Sequence, residues 1–233
     1  MEEILRDGLA ALGVPATPEA VRTLCGYGRL LTEKNAVTNL TAIRDEADAA
    51  RLHFLDSAAL LTVADFTGRS VLDVGSGAGF PGVPLRVLGE GVRLTVIDSV
   101  KKKTDFVQES CQVLGIDDVT VLRGRVEELP ALRERFDIVV SRAVAELTLL
   151  AELCLPQVKP GGLFIAMKGP DCGAEVTAAK NAVGVLGGRV RDIARYTIPG
   201  TDVIHAAVVV EKTRPTPPQY PRRYAQMKKK PLT

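Results

Sequence analysis

Apolar positions recur every three to four residues through the first part of the chain. In "EEILRDGLAAL" they fall at Ile4, Leu5, Leu9 and Leu12, the spacing of one helix face. "TPEAVRTLCGYGRLL" opens with Thr17, a good N-cap, and Pro18, which suits a first helical position. "DEADAARLHFLDSAALL" begins with Asp45 as a cap and has further acids in its first turn. The polar, β-branched stretch "NAVTNLTAI" before it predicts a connection. From residue 69 the period changes. Short apolar runs predict strands at 70–74, 93–98, 119–122, 136–140, 162–167, 189–197 and 204–211. Helical stretches at roughly 81–88, 101–114, 145–155 and 173–186 fall between them. Such alternation predicts a mostly parallel, seven-stranded α/β sheet of Rossmann-like type, with helices on both faces. The last two runs are separated only by "PGTD". That is too short for a crossover, so the final strand is antiparallel.

Residues 213–233 contain five prolines and predict an extended or disordered tail. The expected organisation is a helical extension over 1–66, packed on a sheet domain over 67–212, and a basic proline-rich tail over 213–233.

Composition narrows the class. The chain has 233 residues, 46 % hydrophobic and 25 % charged, an ordinary globular balance. No apolar run is long enough for a membrane span, and the acidic N-terminus does not read as a signal peptide. Cys25, Cys111, Cys154 and Cys172 are scattered, so reduced thiols in the cytoplasm are expected. The two histidines, His53 and His205, lie far apart, and no metal site is expected. Net charge is only +2, but from Lys212 onward there are cations and no acids. A basic tail on an acidic body fits either a polyanion partner or a solvated end.

The chemistry concentrates in "VLDVGSGAGFPGVPL". In open α/β sheets, ligands bind at the carboxyl ends of the strands. Gly75, Gly77 and Gly79 allow a tight turn and close backbone approach. Asp98, ending the second strand, is placed to accept from both ribose hydroxyls of an adenosine. "GAGFPG" satisfies G-x-G-x-x-G, so a nicotinamide-dependent oxidoreductase is one reading. Asp73, two residues before Gly75, favours S-adenosylmethionine, because a carboxylate suits a ligand ammonium and repels a diphosphate. The antiparallel final strand favours it too.

Taken together, "NLTAI", "HFLDS", "LDVGSGAGFPG", "IDS", "RVEE" and "FDIVVSRA" resemble the bacterial small-subunit ribosomal RNA guanine-N7 methyltransferases, formerly called glucose-inhibited division protein B. The resemblance covers nearly the whole chain. It implies a class I methyltransferase of the cytoplasm, using S-adenosyl-L-methionine on a guanine of 16S ribosomal RNA, free or in the small ribosomal subunit. It implies cofactor contacts at Gly75, Phe80, Asp98, Ser99, Val100, Val126, Glu127 and Arg142. The tail resembles the proline-rich basic end of many members, although "YAQMKKKPL" departs from their usual spacer. A monomer is expected.

Val126 offers apolar contact to an adenine, and Glu127 can accept from its exocyclic amine; an acid-rich helix start is the plainer alternative. Arg142 suits an anion, either the methionine carboxylate or an RNA phosphate near the target guanine, or else a structural salt bridge. Guanine N7 carries an in-plane lone pair and no proton, so positioning suffices and no acid–base catalyst is assigned. Lys101, Lys102 and Lys103 at a helix start oppose its dipole, which fits phosphate contact or simple solvation. In the tail, Arg222, Arg223, Lys228, Lys229 and Lys230 are candidates for RNA phosphates. Asp56 is expected to order the helical extension against the sheet, and His53 to be a satisfied structural histidine. Few aromatics and no Trp argue for recognition of folded RNA by shape and phosphate over base stacking. A non-catalytic RNA-binding module on the same fold is a third reading.

Overall fold

Each short apolar run becomes a strand, and the strands lie side by side. The computed structural model describes residues 1–142 and 145–232. The strands are β1 (Ser70–Val74), β2 (Arg93–Asp98), β3 (Val119–Arg123), β4 (Phe136–Arg142), β5 (Val158–Lys168), β6 (Gly188–Thr197) and β7 (Ile204–Lys212). Their order is β3-β2-β1-β4-β5-β7-β6. The first five strands in the chain are parallel to one another, whereas β7 runs antiparallel between β5 and β6. The direction of the order reverses between β1 and β4, where a crevice opens at the strands' carboxyl ends.

The helices are α1 (Glu2–Ala11), α2 (Pro18–Thr38), α3 (Glu46–Ala49), α4 (Asp56–Ala58), α5 (Gly82–Leu88), α6 (Lys101–Val113), α7 (Leu147–Cys154), α8 (Gly173–Val185) and α9 (Tyr224–Lys229). A π-helical segment, Ala50–Leu55, joins α3 to α4, and a 3-10 segment, Ala59–Thr62, follows. Alternation within the strands sorts two cores. Val71, Val96, Ile138 and Val140 face the helical extension, α5 and α6. Leu72, Ile97 and Val139 face α7 and α8. Thr17 caps α2 by accepting from Ala20 N at 3.1 Å. Val21, Leu24, Tyr27 and Leu31 then form the buried stripe of α2, the spacing of one helix face.

Two sequence expectations need correction. First, α2 extends through "NAVT" to Thr38, so only the second half of the expected connection is irregular. Asn35 explains it. Its Oδ1 accepts from Leu40 N and Thr41 N at 2.6 and 2.9 Å, and Asn39 takes a left-handed φ of 48° that ends the helix.

Second, the tail is neither free nor wholly extended. It crosses the molecule and ends in α9. A proline-rich backbone makes few bonds to itself, so its carbonyls need outside donors. Arg133 supplies them, donating to Thr216 O, Pro217 O and Tyr220 O. Glu134 accepts from Thr216 N at 2.9 Å, and Met227 of α9 is fully buried. Lys212, counted above among the tail cations, is also fully buried. It donates to Leu155 O and to Thr216 Oγ1, and burial pushes its ammonium down to about 8.

Candidate functional site

The crevice above β1, β2, β3 and β4 holds a cleft of about 550 Å³, well within the range of small-molecule sites. Its floor is the loop after β1. Gly75, Ser76, Gly77, Ala78 and Phe80 line it, with Asp98, Ser99 and Val100 after β2 on one side. Gly124 to Glu127 after β3 and Arg142 at the end of β4 complete the walls, joined by His53 and Thr41 from the extension and Tyr224 from α9.

Gly75, Gly77 and Gly79 all take positive φ, of 70°, 60° and 89°. A Cβ on Gly77 would meet nothing nearer than Lys103 Nζ at 4.0 Å, so that position opens onto the cleft. Gly79 is different: it does not line the cleft. A Cβ there would sit 2.5 Å from Tyr27 Oη. Its role is to let the extension close on the loop, and Tyr27 Oη donates to Ala78 O at 3.0 Å. Tyr27 is fully buried and meets Phe54, Phe80 and Phe106 edge-on, with centroids 6.4, 6.0 and 5.3 Å away.

Asp98 is 8 % exposed and faces the cleft. Its Oδ2 accepts from Gly77 N at 3.0 Å and its Oδ1 from Val100 N at 2.8 Å. Each oxygen keeps a further lone pair for a ligand hydroxyl. Ser76 Oγ and Glu127 Oε1 are buried without a hydrogen-bond partner, and both residues line the cleft. Arg125 lies 3.9 Å from Glu127 Oε1, and burial raises the Glu127 pKa. These groups fit a nucleoside with hydroxyl and amine donors.

Asp73 departs from expectation. Strand alternation puts it on the same face as Val71, beneath α5 and away from the cleft. It is fully buried, and its Oδ2 accepts from Gly82 N at 2.8 Å. Through Oδ2 it braces the loop, its buried Oδ1 has no hydrogen-bond partner among the described residues, and it does not line the cleft. Burial pushes its carboxyl up to about 7, the Gly82 bond and Arg142 opposing this. A carboxyl raised in the folded state contributes stability below its unfolded value, and that stability is lost as pH rises through about 7. Asp73→Asn keeps the neutral shape at all pH values. Its stability relative to wild type should therefore rise between pH 4 and 7 by up to about 1.4 kcal/mol per pH unit, then level off. Urea titrations at pH 5, 6 and 7 read this; a constant difference would refute it.

Arg142 is already engaged. It donates to Leu52 O at 2.9 Å and Asp56 Oδ2 at 3.2 Å, and its other terminal nitrogen meets His53 Nδ1 at 3.0 Å. The salt-bridge alternative describes it here, although one side of the guanidinium still lines the cleft. Asp56 is 1 % exposed and also accepts from Tyr196 Oη at 2.9 Å, with His205 Nδ1 at 2.8 Å. One carboxylate thus ties the extension to β4, β6 and β7. The π-helical segment, which widens the helix by one residue, carries His53 just before Asp56. Burial and the Arg142 charge hold the His53 imidazole down to about 4, hence neutral. Since Arg142 donates to Nδ1, the proton sits on Nε2 and points to Thr41 Oγ1 at 2.9 Å. Phe80 stacks on this ring, centroids 4.6 Å apart.

The lysine cluster splits. Lys101 pairs with Asp105 at 2.6 Å, and Lys102 donates to the carbonyls of Thr38 and Asn39. Lys102 therefore serves the C-terminus of α2, where a cation complements the dipole. Only Lys103 of the three lines the cleft. Arg222 is taken by Glu152, which accepts from its Nε at 2.7 Å and from its backbone N at 2.9 Å. Arg223, Lys228, Lys229 and Lys230 are exposed. Sequence reading missed Tyr224 and Arg125 as cleft residues; Arg125 opens the "RVEE" motif, whereas no local motif marks Tyr224. Ala143, which ends "FDIVVSRA", and Val144 lie outside the described residues.

Comparison with known proteins follows this geometry. The family GidB, rRNA small subunit methyltransferase G, matches residues 20–200. The chain belongs to this family. Ribosomal RNA small subunit methyltransferase G of Alkaliphilus metalliredigens is 42 % identical over 98 % of both chains. The protein of the same name from Symbiobacterium thermophilum is 43 % identical over 98 % of this chain and 97 % of its own. Among solved structures, a SAM-dependent methyltransferase from Aquifex aeolicus aligns with TM-score 0.55 at 20 % identity, covering 74 % of this chain and 97 % of that one. TrmN from Thermus thermophilus aligns with TM-score 0.54 at 22 % identity, covering 67 % and 48 %. These two share the fold. The rRNA methyltransferase G family thus combines here with a class I methyltransferase sheet. Among the described residues no metal-ligand cluster occurs and no helix is long and apolar enough to cross a membrane.

Proposed function

We propose that the chain uses S-adenosyl-L-methionine to methylate N7 of a guanine in 16S ribosomal RNA, as a cytoplasmic monomer acting on the small subunit or its RNA. The observation that carries the cofactor assignment is the fate of the loop amides. Gly75 N and Ser76 N donate to Ile97 O, Gly79 N and Phe80 N to Ser76 O. Gly77 N and Gly82 N go to Asp98 and Asp73. A diphosphate needs free N–H groups at such a loop. Here those amides are spent on protein acceptors, and the cleft displays carboxylates. That favours a cationic adenosyl amino acid over a nicotinamide dinucleotide.

Bound S-adenosylmethionine would supply an electrophilic methyl group. Asp98 would hold the ribose hydroxyls, Val100 and Val126 the faces of the adenine, and Glu127 its exocyclic amine. Phe80, backed by neutral His53, also lines the cleft. Guanine N7 has no proton to remove, so the chain's task is alignment, a source of up to about 7–11 kcal/mol. Lys103 beside the cleft and the exposed Arg223, Lys228, Lys229 and Lys230 of the tail would meet phosphates.

The direct test is transfer of tritium from labelled cofactor to small subunits prepared from cells lacking the gene, followed by mass-spectrometric mapping. Label at guanine N7 is expected. Absence of label from both free 16S RNA and subunits, or label at another atom, overturns the reading.

A further inference from the structure

We infer that Tyr224, carried back to the cleft by the tail, is a binding residue for the adenine of the methyl donor; this rests on the cofactor reading above.

Three independent observations converge on it. The first is position. Tyr224 lines the cleft, and its neighbour there is Arg125, which follows β3 and lies 5.2 Å from the ring centroid. It packs on the cluster that includes Val126, Leu153 and Met227. The second is anchoring. Two residues before it, Arg222 reaches Glu152 of α7 through both its guanidinium and its backbone N. Glu152 is 2 % exposed and the Arg222 side chain 21 %, so this pair is a multiply bonded, partly buried fixture. Three residues after Tyr224, Met227 is fully buried. The ring is therefore held from both sides along the chain.

The third is electronic. Arg125 lies over the Tyr224 ring at 5.2 Å from its centroid, and Lys228 at 6.0 Å. Cations over a ring draw on its electron density and fix its plane. An aromatic ring fixed in the wall of a cleft offers a stacking surface to a base. A half-buried tyrosine serving only to cover apolar surface would need neither the Glu152 anchor nor a place in the cleft wall.

The test exploits the chain's lack of tryptophan, which leaves four tyrosines as its emitters. S-adenosylhomocysteine is titrated into the full-length protein, following both heat and tyrosine emission. In wild type, binding should quench part of the emission. Tyr224→Phe keeps the stacking face: its affinity should stay within about twofold while the quench largely disappears. Tyr224→Ala should bind about tenfold or more weakly, with its thermal midpoint compared to wild type as a control for folding. Wild-type binding with an unchanged quench in Tyr224→Phe, or undiminished affinity in a folded Tyr224→Ala, overturns the inference and leaves the cofactor reading standing. Failure of wild type itself to bind overturns both.

Discussion

Asp98→Ala should weaken S-adenosylhomocysteine binding by about 100-fold or more, read by calorimetry. Two effects add. The ligand loses a charged acceptor for its ribose hydroxyls, and hydrogen bonds to charged groups contribute about 1.5–3 kcal/mol each, a tenfold change being about 1.4. The loop also loses its own organiser, because Asp98 holds Gly77 N and Val100 N from opposite sides. Asp98→Asn keeps one acceptor oxygen but sets an NH2 against either Gly77 N or Val100 N, so it too should weaken binding. A change below threefold for the alanine variant would show that the ribose binds elsewhere.

The second large effect is on stability. Asp56→Ala should cost about 3–5 kcal/mol in urea unfolding, the range for removing one partner of a buried ion pair. Asp56 is the common acceptor of Arg142, Tyr196 and His205, and its loss strands a guanidinium that is only 18 % exposed. The Leu52 carbonyl and His53 remain as partners for Arg142, which keeps the figure from being larger. Because Asp56 sits in the helical extension while its partners sit in three strands, the variant should also lose protection from hydrogen exchange first in residues 46–62. A loss under about 1 kcal/mol would mean that apolar packing alone holds the extension down.

Much of the fold was readable because it is periodic. The strands at 70–74 and 93–98 coincide with the observed β1 and β2, and the switch from helical to alternating pattern marks where the sheet begins. What escaped is what depends on distant partners. Arg133 binds carbonyls more than 80 positions away, so proline content alone suggested a loose tail where an ordered one exists. Lys102 looked like a phosphate ligand because its partners, at the end of α2, are over 60 residues earlier. Asp73 was placed in the cleft from its distance to Gly75, but the two-residue period of the strand turns it beneath the sheet. At the candidate site the residues after strand ends, Asp98, Ser99, Val100, Val126 and Glu127, do line one cleft, since a parallel sheet gathers those ends in one place. Tyr224 had no such rule to announce it.

That wall has a genetic corollary. The seven described strands are encoded before codon 213, yet one lining residue of the cleft waits for codon 224. A nonsense lesion between them would keep every strand residue but remove Tyr224 and the Met227 plug and, before codon 216, also Thr216, the partner of buried Lys212. Such alleles would look nearly full-length on a gel and yet behave as nulls or strong hypomorphs.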